Sequence, residues 1–335
     1  MTHAWHGRIV SVLVALLVVA PGATTAHAYL KFGVEVAGRV VPVRWGAGPI
    51  RYFVTERDFS GISAQAFSDA IGRAAATWMR TPGLPVTFSA QGLTRSQPLE
   101  TDGRSTIGFL DRPDQERVLG AASFLLDAAT GQILESDIYF NTRFRWSTAA
   151  GGEAGASDLE SIALHELGHL LGLGHSAIGE TEVSGTGRRV LASGSVMFPI
   201  AMPAGTISDR ALQADDIAGL LDLYGAAPAG EVGSIQGRVT KRERAVYGAH
   251  VVAFHLESGA LIGGFALGDD GTFVIGGLAP GAYIVRVEPL DDTDVESFFA
   301  PARVDIDFGV TFAAKVVVVQ AAGSTAPVVI EVRPR

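Results

Sequence analysis

The chain has 335 residues, no cysteine and eight histidines, with 47% hydrophobic and 18% charged residues and a formal charge of −9. That length suits two domains of ordinary size, and the composition is that of a folded chain rather than a disordered one. The missing thiols exclude a disulfide scaffold, an iron–sulfur centre, a thiol nucleophile and any cysteine-ligated zinc. The acidic balance, with no dense Lys/Arg run, argues against nucleic acid as a partner. A transition-metal site must then be built from histidine and carboxylate, so the positions of the histidines become the central question.

Residues 1–28 carry His3, His6 and His27 together with Arg8 and no acid. Ile9 to Ala20 is almost unbroken apolar sequence, Pro21-Gly22 ends it, and Ala26-His27-Ala28 has a small-x-small cleavage pattern. These features predict a secretory signal peptide and therefore an exported protein. Twelve helical residues reach only ~18 Å, short of the ~30 Å hydrocarbon core, and no later run is long enough to span a membrane.

In the mature chain, Phe67, Ile71, Ala74 and Trp78 recur at helical spacing and predict a helix over Gly61 to Met79, stopped by Thr81-Pro82-Gly83. Val86 to Ser89, Thr106 to Leu110, Ala122 to Leu126 and Ile138 to Asn141 read as strands. A second helix is expected from Asp158 to Leu171, opened by Ser157 with Glu160 as a capping box, and a third from Gln213 to Tyr224, stopped by Gly225. The composition changes near residue 226, where Ala226-Ala227-Pro228-Ala229-Gly230 reads as a linker. Beyond it, Ile235–Thr240, His250–Leu256, Leu261–Leu267, Thr272–Ile275, Tyr283–Glu288, Val304–Thr311, Lys315–Val319 and Val328–Val332 are strand-like, which predicts a β-sandwich. His250 and His255, five apart on one strand, face opposite sides and cannot share a metal.

Residues 165–175 read His-Glu-Leu-Gly-His-Leu-Leu-Gly-Leu-Gly-His. His165 and His169 are one helical turn apart, so two imidazoles reach one metal, and Glu166 beside them can hold a water at that metal rather than bind it. On a continuous helix His175 would point away; it joins the site only if the helix breaks, and Gly172 and Gly174 permit the left-handed backbone such a break needs. Composition alone yields this eleven-residue pattern on the order of 10⁻⁵ times per chain. Three neutral imidazoles leave an open position on a zinc ion, which marks a catalytic site, and the metal-activated water with Glu166 as base is the chemistry of amide hydrolysis.

This run resembles the metzincin metallopeptidases, and its surroundings resemble the matrixins among them. Ser176 follows the third histidine, and Ser195-Val196-Met197-Phe198-Pro199 is similar to the family's Met-turn. Asp215 to Gly225 is similar to its C-terminal helix, and Leu119-Gly120-Ala121-Ala122-Ser123-Phe124 and Asp137-Ile138-Tyr139-Phe140-Asn141 resemble its edge strand and the strand after it. The resemblance implies His165, His169 and His175 as zinc ligands, Glu166 as general base and Met197 as the Met-turn residue. It implies substrate lying antiparallel along residues 119–124, with Phe198, Pro199, Ile200 and Ala201 shaping the main side-chain pocket. It also exposes departures. Tyr139 stands where the family often has a ligand, and no histidine is left for a structural zinc. A thiol latency switch is impossible, residues 177–193 are unusually long, and Ala201 replaces a common tyrosine. Calcium on the 127–137 loop stays open. The second part resembles carboxypeptidase-regulatory-like, transthyretin-like sandwiches, on Gly233 to Val239, Asp269 to Phe273 and Leu278 to Tyr283.

The expected fold is therefore α+β: a metzincin catalytic domain with a twisted mixed sheet and three main helices, then an all-β transthyretin-like sandwich. The expected divisions are signal peptide 1–28, protease domain 29–225, linker 226–232 and sandwich 233–335. The expected function is that of a secreted zinc endopeptidase acting on peptide or protein substrates. Two other readings stay open: a surface-binding or adhesion protein on a vestigial protease fold, and a zinc amidase or peptidase acting on cell-wall peptides. The sandwich is expected to bind a protein or cell-surface ligand, present substrate or add stability.

Overall fold

The apolar stripe read from the sequence does form the first helix, but the helix starts three residues late, because Ser63 caps it by accepting the Ala66 N–H. In this computed structural model the described residues are 31–36, 39–184, 187–225, 230–290, 298 and 304–335. The predicted signal peptide and residues 226–229 of the predicted linker lie outside them. The first part runs β1 (Gly33–Val36), β2 (Arg39–Pro42), β3 (Arg44–Trp45), β4 (Pro49–Thr55), α1 (Ala64–Met79), β5 (Thr87–Thr94), β6 (Ser105–Leu110), β7 (Gly120–Leu126), β8 (Gln132–Asn141), β9 (Trp146–Ser147), β10 (Ser157–Asp158), α2 (Leu159–Leu170), β11 (Gly179–Ser184), β12 (Gly187–Ser193) and α3 (Ala214–Tyr224). The second runs β13 (Gly233–Lys241), β14 (Arg244–Ala245), β15 (His250–His255), β16 (Leu261–Phe265), β17 (Thr272–Leu278), β18 (Gly281–Glu288), β19 (Thr311–Phe312), β20 (Val317–Val319) and β21 (Val328–Val332).

The expected mixed sheet is present. It has the order β3-β8-β6-β4-β5 in parallel pairing, and β7 lies antiparallel against β8. Phe67, Ile71 and Trp78 of α1 share one core with Ile107, Ile138 and Phe140 of the sheet and Leu159, Leu164 and Leu167 of α2. Trp78 Nε1 donates to the Leu164 carbonyl at 2.8 Å, which satisfies a buried indole and pins α2 against α1.

The cap of α2 is Asp158, not Ser157: its carboxylate accepts the Ser161 N–H at 2.9 Å. Ser157 is drawn into the short parallel pairing of β10 with β9, and its own N–H goes to Arg145. Within the unusually long stretch 177–193, β11 and β12 pair antiparallel.

The second part is built from two sheets. β14-β13-β17 with β21 faces β16-β15-β18 with β19 and β20, and Ile235, Val251, Ile275, Val285 and Ile330 fill one core between them. The strand expected over Val304–Thr311 is confined to Thr311 and Phe312. Val304, Ile306 and Phe308 do turn inward, but the Phe308 N–H bonds Ile306 and the Gly309 N–H bonds Arg333, so no ladder forms before Thr311.

Helix α3 belongs to both parts. Leu220 and Leu223 enter the first core, and Ala218 enters the second. β17 reaches α3 through Gly276 and Gly277; a Cβ on Gly277, which has φ +67°, would lie 2.0 Å from the Ala218 carbonyl oxygen. No helix among the described residues is long and apolar enough to cross a membrane.

Candidate metal centre and cleft

Helix α2 ends where the histidines need it to end. Gly172 has φ +98°, its N–H bonds the His169 carbonyl, and the Leu173 N–H bonds Gly168. The chain then leaves the helix axis and returns His175 to the side of His165 and His169. Ring centroids are 4.7 Å apart for His165–His169, 4.9 Å for His169–His175 and 5.6 Å for His165–His175. The break needs only one of the two expected glycines, since Gly174 is not among the residues with positive φ.

All three histidines are buried, and one nitrogen from each lies within 4.8 Å of the others. The second-sphere bonds fix two of the tautomers. His165 Nδ1 meets the Val196 carbonyl at 2.6 Å and His169 Nδ1 meets the Leu173 carbonyl at 2.7 Å, so both Nδ1 atoms carry the proton and donate it. Their Nε2 atoms are then both lone-pair donors, yet they face each other at 3.1 Å. Two neutral nitrogens so placed repel unless a cation sits between them, so the residues present fit a metal ion. Burial, with His175 nearby, pushes His165 down to about 3 and holds His169 well below the usual range, which keeps the imidazoles neutral for ligation.

Glu166 is 1% exposed, and its Oε2 has no hydrogen-bond partner among the described residues. Burial raises its carboxyl well above the ordinary value. Gly120 lies against it: a Cβ there would stand 3.0 Å from Glu166 Oε1 and 2.9 Å from the Tyr139 carbonyl oxygen.

Met197 is fully buried beneath α2. A Cβ on Gly168 would come within 2.3 Å of its sulfur. The turn is held by Asp216, which accepts from Ser195 Oγ (2.6 Å), Val196 N (3.0 Å), Met197 N (3.2 Å) and Gln213 N (2.8 Å). Its neighbour Asp215 is also fully buried; it pairs with Ser176 Oγ and accepts the Gly263 N–H of β16 at 2.7 Å. A chain of bonds thus runs from β16 through Asp215 to the residue after His175. Burial, with Asp216 nearby, pushes the Asp215 carboxyl up to about 8. A raised acid of this kind contributes stability that is complete below its unfolded pKa of about 4 and drains as pH rises toward 8. Asp215→Asn is therefore expected to flatten the loss of urea resistance between pH 5 and pH 8.

A cleft of about 380 Å³, open mouth included, brings Leu119, Gly120, His165, Glu166, Phe198, Pro199 and Ala201 together, with Ser161, Ile162, Val196 and Asp209. The other expected contact residues lie elsewhere. Ile200 turns into a small cluster with Val190, Phe198 and Met202, where the hairpin backs the pocket wall. Ala121, Ala122, Ser123 and Phe124 run along β7, which pairs with β8 on one edge and with no described strand on the other. Tyr139 is buried, its hydroxyl on Gln115 and its ring under the Arg112 guanidinium at 5.2 Å. In the loop considered for calcium, both Asp137 oxygens accept backbone N–H groups, from Leu99 (2.6 Å) and Thr106 (2.7 Å), and Glu135 accepts from Gly103 (2.6 Å).

The sequence profile of the Matrixin family matches residues 44–225, more than half of the chain. The chain belongs to the matrixin family. Similar proteins include Metalloendoproteinase 2-MMP of Arabidopsis thaliana, 34% identical over 48% of this chain and 37% of that protein. Metalloendoproteinase 1-MMP of the same plant is 38% identical over 31% of the chain and 21% of its own length. Mouse Stromelysin-1 is 27% identical over 56% of the chain and 34% of its own length. The matched stretch thus spans about a third or less of these relatives. Matrixins carry a catalytic zinc, and the group of three histidines is the one set among the described residues able to take it. Sequence reasoning singled out the matrixin histidines and Glu166 but passed over Asp215 and Asp216, whose partners Ser176, Ser195, Val196 and Gly263 are remote in the chain, and Asp209, which lines the cleft.

Proposed function

We propose that this matrixin is a secreted zinc endopeptidase, with His165, His169 and His175 as the ligands and Glu166 as the general base. The observation that carries the reading is the pair of unprotonated Nε2 atoms facing at 3.1 Å beside a buried carboxyl oxygen with no hydrogen-bond partner among the described residues. When bound, zinc supplies Lewis acidity, lowering the pKa of water toward ~7 and polarising the scissile carbonyl. Glu166 takes the proton of the attacking water and returns it to the leaving amine. Gly120, with no side chain, leaves room beside Glu166 for the peptide. The open edge of β7 suits an extended substrate added antiparallel along residues 119–124. Met197, wedged under Gly168, and Asp216, through Val196, keep His165 and His169 in place. The intact ligand set and Glu166 speak against a vestigial fold.

Export rests on the signal-peptide pattern of residues 1–28. We assign residues 29–225 to the protease domain, 226–232 to the linker and 233–335 to a transthyretin-like sandwich of the carboxypeptidase-regulatory type that binds a protein or cell-surface ligand. Metal analysis with a protease assay tests the core reading. The full mature chain is expected to hold one zinc per molecule and to cut unfolded protein. A chelator should abolish cutting, and added zinc should restore it. Zinc-loaded protein that cuts no peptide or protein would refute the reading.

A further inference from the structure

The cleft beside Glu166 is not wholly apolar. Leu119, Ile162, Phe198 and Ala201 give it apolar walls, and Asp209 lines it with them. An adjoining recess of about 290 Å³, open mouth included, is also lined by Leu119, Ser161, Ile162, Ala201 and Asp209, so Asp209 borders both spaces.

Among the described residues Asp209 accepts one long hydrogen bond, from Ser208 Oγ at 3.3 Å, and has no ion pair. The adjacent Arg210 does not neutralise it. That guanidinium is held by Asp158 at 2.5 and 2.9 Å and leans toward Glu160 at 3.8 Å. Burial, with Asp216 and Asp158 adding like charge, pushes the Asp209 carboxyl up to about 6. At neutral pH it is thus a partly desolvated anion, without an ion-pair partner among the described residues, in the lining of a largely apolar cleft. A long side chain with an aliphatic stem and a cationic head meets both demands: the stem lies on the apolar walls and the head reaches the carboxylate.

We propose that Asp209 determines the specificity of this cleft and selects peptides that present a lysine or arginine side chain to it. The inference rests on the peptidase reading above. A strand antiparallel to β7 carries its C-terminal end past Leu119, so the selected residue is the one just after the scissile bond.

The test uses the zinc-loaded chain and peptides of one sequence that differ only in that residue: Lys, Arg, Leu or Glu. Wild type is expected to cut the Lys and Arg peptides with kcat/KM at least tenfold above the Leu peptide. Asp209→Asn should lower the Lys-to-Leu ratio at least fivefold, and Asp209→Glu should keep part of it. The same ratio should fall as pH drops from 7.5 to 5, because protonation removes the charge. Asp158, Asp216, Glu160 and Arg210 are the charged groups around Asp209, and Glu166 and His165 share its cleft; titration of the last two acts on both peptides and cancels in the ratio. A wild-type ratio at or below one, or a ratio unmoved by Asp209→Asn, would overturn the proposal. Binding of the same peptides to Glu166→Ala protein separates this failure from failure of the peptidase reading. Lys peptides bound tenfold more tightly than Leu peptides, with no cleavage by wild type, would sink the peptidase reading alone. Equal binding would sink the role of Asp209, whatever wild type cuts.

Discussion

Glu166→Ala protein is expected to keep its zinc and lose roughly 10²- to 10⁴-fold in kcat/KM, the range a positioned general base contributes. The separation is expected because Glu166 is not one of the three clustered nitrogen donors and its Oε2 has no hydrogen-bond partner among the described residues. Removing it leaves the Val196 and Leu173 carbonyls on His165 and His169, so the ligands keep their tautomers and positions. Glu166→Gln adds a discriminating control. It fills the same space beside Gly120 but has no carboxylate to accept a proton, so its activity should fall nearly as far. Elemental analysis for zinc and initial rates on one peptide check both variants. Activity within tenfold of wild type for either would remove Glu166 from its assigned role.

Gly172→Ala is expected to do the reverse and lose the metal site itself. At φ +98° an alanine is strained by about 1–3 kcal/mol before any contact is considered. Its Cβ would also stand 2.2 Å from the Val43 carbonyl oxygen, a backbone atom that cannot swing aside. Relief requires the turn after α2 to open. Leu173, whose carbonyl holds His169 Nδ1, and then His175 move with it. Loss of such supporting bonds typically costs 10- to 100-fold in metal affinity, and displacement of a ligand adds to that. Competition against a chromophoric chelator should register a drop of at least about 100-fold, together with a lower melting temperature. Wild-type zinc affinity in this variant would mean that the left-handed turn does not deliver the third ligand.

The contrast between these sites explains what could be read from the chain alone. His165, Glu166 and His169 lie within one turn, and the bend at Gly172 is coded by the glycine itself, so the metal cluster was legible from local spacing. Capping and strand pairing were less so. Ser157 carries the sequence signature of a cap, but the cap is Asp158, whose carboxylate accepts the Ser161 N–H. The hairpin Gly179–Ser193 has no strong apolar alternation, and what it contributes, Val190 against Phe198 and Ile200, is visible only in three dimensions. Val304, Ile306 and Phe308 alternate like a strand yet make no ladder, because side-chain burial and hydrogen-bond pairing are separate requirements. Asp215 and Asp216 were read only as part of a familiar helix, although one holds the turn beneath the histidines and the other reaches Gly263. Asp209 lies in a stretch without periodicity, and nothing local marks it as facing a cleft.

Helix α3 has a consequence for how the chain holds together. It supplies Leu220 and Leu223 to one core and Ala218 to the other, and it accepts Gly263 through Asp215. Packing this close, backbone on backbone at Gly277 and Ala218, is as dense as that of a subunit interface core. The two parts are thus joined by these contacts as well as by the peptide link. If that link were cut, these contacts would be the interface of a heterodimer, with His175 at the seam, its ring centroid 6.2 Å from that of Phe298.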